Sequence, residues 1–203
     1  GKSVTTKLIL GLLNQKNVFK NGNIIFKDKE LINLSQREFK KIRGNNISII
    51  FQDPIAALNP VFKIKEQFFE VNCNGGKISK KDSFDKACEA LLKVSIRDPE
   101  RVMESYPFQL SGGMAQRVVI TMAMINNPDL LLADEPSTAL DVTVQNQALD
   151  LMDDLTKVTN TAVLLITHNM GVVRRFAEKV YVIYRGGIVE EGTKSQVFKN
   201  PGH

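Results

Sequence analysis

The chain alternates short apolar runs with amphipathic stretches. Leu8, Ile9, Leu12 and Leu13 recur at helical spacing and predict a helix over 4–13, behind the opening Gly1-Lys2-Ser3. The turn signal Asn21-Gly22 leads into a short strand over 23–26. Ser35, with Glu38 three residues later, forms a capping box that predicts a helix to Ile42. Ile47 to Phe51 is apolar and β-branched, a buried strand that ends in Gln52-Asp53-Pro54. Residues 53–110 change character, with breakers at Pro54, Pro60, Gly75-Gly76, Pro99 and Pro107. Ser79 caps a helix running to about Val94, with Ala87, Ala90, Leu91 and Val94 on one face, and Asp98-Pro99-Glu100 opens another. Beyond Ser111-Gly112-Gly113 the pattern predicts a helix over 114–125, an apolar strand from Leu130, a helix over 142–158 and a strand over 162–166. A hairpin of 179–184 and 187–189 turns at Arg185-Gly186, and 195–198 is a short terminal turn. Strands alternating with helices, interrupted by one helical stretch, predict an α/β fold with a mainly parallel sheet and an inserted helical subdomain over 53–125.

Leu130-Leu131-Leu132-Ala133-Asp134-Glu135-Pro136 organises this pattern, an apolar run broken off by two carboxylates and a proline. Two readings fit it. It is a strand buried on both faces that delivers its acids to the carboxyl edge of a sheet, where ligands of open α/β sheets bind, or it is a strand running into an acidic surface turn. On the first reading, strand alternation sends Asp134 and Glu135 to opposite sides, one toward a metal and one toward a reacting water. Three other stretches carry similar ambiguity. Gly1-Lys2-Ser3 is an ordinary helix start, or an anion site in which free amides and Lys2 face phosphate and the Ser3 hydroxyl ligates magnesium. The glycines of Ser111-Gly112-Gly113 give either a flexible lead-in to a capped helix or a close backbone approach to phosphate. His168, just after a strand, is structural, or it joins the carboxylates at the same edge, as can Gln52.

Composition narrows the class without choosing among these readings. The chain has 203 residues, enough for one domain with a sizeable core, and 24% charged with 43% hydrophobic residues, which excludes disordered and fibrous classes. A net charge of +5 comes from basic residues scattered in short groups, read as solvated faces rather than a nucleic-acid surface. Cys73 and Cys88 lack metal-ligand spacing and read as reduced structural thiols. Membrane contact is expected only through partners, because no apolar run is long enough to span a bilayer. The opening at Gly1-Lys2-Ser3 and the close at Asn200-Pro201-Gly202-His203 suggest a single domain, 1–203, cut from something longer.

In order, Gly1-Lys2-Ser3, Gln52, Leu110-Ser111-Gly112-Gly113-Met114-Ala115-Gln116-Arg117, Leu130 to Pro136, Ser137 to Asp141 and His168 resemble the nucleotide-binding subunit of ATP-binding cassette (ABC) transporters. The specific part is the L-S-G-G signature ahead of a D-E-P-S-T-A-L-D block. Phe51 to Pro60, Tyr106-Pro107, Ala139 to Gln145 and Gly192 to His203 resemble the dipeptide/oligopeptide and nickel importer group within it. The family's upstream strands, its adenine-stacking aromatic residue and the first P-loop glycines have no counterpart in this chain. Phe108 and Ala115 stand where that group often has polar or basic residues, an expected change to the local surface.

The resemblance implies a P-loop NTPase of the ABC type that uses ATP and Mg2+. Gly1, Lys2, Ser3 and Val4 would bind the nucleotide, with Lys2 on the β and γ phosphates. Ser3, Gln52 and Asp134 would serve the metal. Glu135 would orient the attacking water, His168 would contact the γ-phosphate and Gln52 would sense metal and water. Charge repulsion between neighbouring Asp134 and Glu135 would be offset by the cation and Lys2. Ser111, Gly112 and Gly113 would complete the site of a second, facing ATPase subunit, and Asp141, counted with the nucleotide-binding residues, would communicate across the seam. Two membrane permease subunits and, indirectly, a solute-binding protein are the other implied partners, with no nucleic acid. The implied place is the cytoplasmic face of the cell membrane, and the implied cargo is di- or oligopeptide. Nickel or another small solute is one alternative, and a non-transport ABC ATPase acting on nucleic acid or ribosomes is another. Ile55, Leu58, Val61, Phe62 and Phe68 are either subdomain core or a surface for the membrane subunits.

Overall fold

A computed structural model of the chain describes residues 2–13, 21–74, 76–136 and 142–203. It divides into two compact units, one of Gly1–Phe39 with Leu165–His203 and one of Lys40–Leu164.

The second unit is built on β3 (Ile47–Ile50) and β4 (Leu130–Asp134), after a small hairpin of β1 (Ile25–Phe26) and β2 (Lys29–Glu30) in the first unit. β3 and β4 pair in parallel with Ile47 opposite Leu130 and Ile50 opposite Ala133. β5 (Ala162–Ile166) follows β4 in the sheet order. Leu131, Leu132 and Ala133 are fully buried, as an apolar run without alternation requires. Each leucine buried there is worth about 1.5–3 kcal/mol.

Between β3 and β4 the chain forms α3 (Pro54–Ala57), α4 (Ile64–Asn74), α5 (Lys80–Lys93), α6 (Pro99–Glu104) and α7 (Gly112–Met124), and α8 (Val142–Thr159) follows β4. Their starts are chemically specified. Asp53, Ser79, Asp98 and Ser111 each accept a backbone N–H of the first turn, and proline follows Asp53 and Asp98 directly. Ala87, Leu91 and Val94 are buried on the expected face of α5. α7 packs against α3, α8 and β3. Ala115, expected to alter the surface, is fully buried instead, because it shares the inward face of α7 with Val118 and Val119 at i+3 and i+4. Burial, with Glu100 and Asp85 nearby, pushes the Cys88 thiol up to about 11, so it stays protonated and inert, while Cys73 is exposed.

In the first unit, α1 (Lys2–Ile9) is shorter than the predicted 4–13. The Gly11 N–H bonds Leu8 O and the Leu12 N–H bonds Lys7 O, a glycine-terminated helix end with Gly11 at φ +61°. A side chain at Gly11 would also collide with the Phe39 ring at 2.4 Å. The Ser35/Glu38 box opens α2 (Gln36–Ile42) as read. α9 (Met170–Phe176), β6 (Lys179–Tyr184), β7 (Gly187–Thr193) and α10 (Lys194–Lys199) complete this unit. β6 and β7 are antiparallel and joined at Arg185-Gly186, both with positive φ.

Candidate functional site

The parallel register of β3 and β4 brings the two chain segments that leave their carboxyl ends side by side. Gln52, two residues past β3, directs Nε2 at Glu135 Oε2 at 3.5 Å, a long hydrogen bond. β4 stops at Asp134, so strand alternation does not extend to Glu135. Its backbone has φ +49°, left-handed for a residue with a side chain, at a cost of about 1–3 kcal/mol. Asp134 is only 8% exposed, and its Oδ1 is buried with no hydrogen-bond partner. A buried carboxylate oxygen in that condition is costly unless a cation or donor meets it. Magnesium fits this donor, since it takes few protein carboxylates and completes its shell with phosphate and water oxygens. Among the described residues no cluster of three or more His, Cys, Asp or Glu is arranged as a protein-only cage.

The signature helix α7 is tied to the chain just past this strand end by a side-chain hydrogen bond to Pro136. Ser111 caps α7, its Oγ accepting the Met114 N–H at 3.3 Å, so the capping reading of that serine holds while its own hydroxyl proton stays available. Gly112 and Gly113 form the first turn of the helix rather than a lead-in to it. Nothing inside the unit demands glycine at 113: an added Cβ would meet Val144 Cγ1 at an ordinary 3.5 Å. Glycine in a helix costs about 1 kcal/mol against alanine, a cost that packing within the unit does not explain at 113.

One residue of this site had no assigned role in the sequence. Gln116 is 1% exposed and donates Nε2 to Pro136 O at 2.7 Å, while its Oε1 is buried without a partner. The signal was a lone amide among the buried Ala115, Val118, Val119 and Ile120 of an otherwise apolar helix face.

Lys2, Ser3, Val4 and His168 belong to the other compact unit. Lys2 opens α1, Ser3 and Val4 are exposed on its first turn, and the Ser3 carbonyl accepts from Thr6 Oγ1 at 2.9 Å. His168 lies in the turn between β5 and α9, where Asn169 caps α9 by accepting from Gly171 and Val172 N–H groups. Gly1 and the Ser137 to Asp141 segment lie outside the described residues.

Of Ile55, Leu58, Val61, Phe62 and Phe68, Leu58 and Phe68 are buried core. Ile55, Val61 and Phe62 are exposed, Val61 by 72%. Phe108, 71% exposed, stacks on Tyr106 with ring centroids 5.6 Å apart.

The family model described as "ABC transporter" matches residues 1–138. The chain belongs to the ABC transporter family. Among curated ABC relatives, the oligopeptide transport ATP-binding protein OppD of Bacillus subtilis is 48% identical over all of this chain and 57% of its own length. The dipeptide transport ATP-binding protein DppD of Lactococcus lactis is 47% identical over all of this chain and 58% of its own. The chain therefore spans about three-fifths of the ABC relatives it matches. The dimeric ABC cassette MJ0796, solved in a post-hydrolysis state with ADP and Pi, superimposes with a TM-score of 0.79 at 28% identity, covering 96% of this chain and 81% of that one. No helix among the described residues is long and apolar enough to cross a membrane.

Proposed function

We propose that this ABC chain binds and hydrolyses ATP to power import of di- or oligopeptides. The observation that carries the hydrolytic part is the end of β4, where Asp134 offers an unpartnered buried oxygen and Glu135 is held in a left-handed conformation beside Gln52. The peptide cargo is supported by the names of relatives at 46–48% identity over the whole chain.

Each residue takes a role suited to its chemistry. Lys2 neutralises the β and γ phosphates at the amino end of α1, where backbone amides suit anions, and Gly1 and Val4 are read as nucleotide-binding with it. Ser3, Asp134 and Gln52 are the residues that would serve a magnesium ion, as the family resemblance implies. When bound there, magnesium would supply charge neutralisation for phosphoryl transfer. Glu135 orients and polarises the attacking water, and Gln52 restrains its carboxylate. His168 contacts the γ-phosphate. The helical insertion over 53–125 presents Ser111, Gly112 and Gly113 to the nucleotide of a facing ATPase subunit, and the bare first turn of α7 leaves room for that approach. Asp141 communicates between the subunits.

Ile55, Val61 and Phe62 form the surface for two membrane permease subunits, placing the protein on the cytoplasmic face of the membrane. A solute-binding protein delivers the cargo to the permeases. ATP turnover by the natural full-length protein assembled with its permeases tests this reading. We expect magnesium-dependent hydrolysis that Lys2→Ala abolishes. An assembled protein that remains silent contradicts it.

A further inference from the structure

We propose that Gln116 is a positioning residue for Glu135, tying the signature helix to the turn that carries its carboxylate. The inference rests on the hydrolytic reading above.

The geometry is specific to the turn it holds. Pro136 has no N–H, so its carbonyl is the backbone group through which the exit from Glu135 can be pinned. Gln116 Nε2 supplies that pin at 2.7 Å from a buried position on α7. Fixing the Pro136 carbonyl fixes the chain leaving Glu135, and with it the direction of the Glu135 side chain at φ +49°. Gln52 contacts that side chain from the segment that leaves β3. Backbone and carboxylate are thus restrained from two elements, α7 and the β3 exit.

The same amide is poorly explained as a device for stability. Gln116 Oε1 is buried with no hydrogen-bond partner. Buried amides in a structural role normally satisfy both ends, and an unmet acceptor offsets what the single bond gains. A methionine of similar shape would lose the bond and the unmet acceptor together. What it could not do is hold Pro136. In the proposed dimer, Ser111 to Gly113 on the same helix face the partner's nucleotide. Displacement of α7 on engagement there would pull, through Gln116, on the chain behind this subunit's own Glu135.

Gln116→Met in the assembled full-length protein tests the role, read by ATP turnover, KM and Tm, alone and combined with Glu135→Gln. We expect Tm unchanged or raised, KM for ATP within about 2-fold of wild type, and kcat lower by about 10- to 100-fold, the scale of a small misplacement of a reacting group. In the Glu135→Gln background the same substitution should cause no further loss, because it acts through the removed carboxylate. Wild-type kcat in Gln116→Met overturns the proposal, as does an undiminished loss in the Glu135→Gln background. A kcat loss that merely follows a collapse in Tm also overturns it. A wild-type protein with no turnover sinks the hydrolytic reading itself, and a working wild type matched by Gln116→Met sinks only the role of Gln116.

Discussion

Strand β4 lies between two aspartates with opposite surroundings. At its amino end, Asp129 Oδ2 accepts from Asn46 Nδ2 at 2.9 Å, the Asp129 N–H donates to Asn46 O and the Asp129 carbonyl accepts from Ala162. Thr161 Oγ1 closes the same end by donating to Pro128 O at 2.7 Å. At the carboxyl end, Asp134 Oδ1 and Gln116 Oε1 are buried without partners, and Glu135 carries backbone strain. The amino end is built to be stable alone. The carboxyl end is built at a cost that a bound ligand can offset, the pattern expected where strand ends of an α/β sheet face their substrate.

This contrast separates activity from stability. The largest effect is expected from Glu135→Gln, which keeps shape and hydrogen bonding but removes the charge that polarises water. Turnover should fall by about 10³-fold while nucleotide-bound dimers persist, as seen by size-exclusion chromatography with ATP. Asp134→Ala should reduce turnover by about 10²-fold and leave the unfolding midpoint in denaturant unchanged or slightly raised, since a buried carboxylate with one unpartnered oxygen is removed. Asp129→Ala should reverse that result, costing about 1.5–3 kcal/mol in chemical denaturation through the charged bond to Asn46, with turnover per folded molecule kept. Thr161→Val should cost about 1 kcal/mol by the same assay, again with turnover kept. Equal stability losses at both ends would remove the distinction.

Local chemistry made much of this architecture legible. Ser79, Asp98-Pro99 and the Ser35/Glu38 box name helix starts within a few residues, and the apolar runs of β4 and β5 need no distant information. α4 was not read because Asn72 takes a buried position in line with Ile64 and Phe68, bonding Ser83 instead of supplying a hydrophobe. α9 is not legible in the sequence because it is short and has glycine near its start, leaving Asn169 as its one clear signal. β7 runs on from the predicted 187–189 to Thr193 through the charged Glu190 and Glu191, held by pairing with β6 rather than by burial.

At the site, residue types and order were visible, but backbone geometry was not. Alternation sent Asp134 and Glu135 to opposite sides of a strand that in fact ends between them. The left-handed turn at Glu135 and the grip of Gln116 on Pro136 depend on where α7 packs, which spacing along the chain does not encode.

The contrast between the two ends of β4 is tested most directly by magnesium-dependent thermal stabilisation with ATP. The wild type, Asp134→Ala and Asp129→Ala forms of the full-length protein would each be melted with ATP in magnesium and with ATP in chelator. We expect the Asp129→Ala protein to melt lower but keep the full magnesium-dependent rise in Tm, and the Asp134→Ala protein to melt like wild type in chelator and lose that rise. A full magnesium-dependent rise in the Asp134→Ala protein would contradict the account.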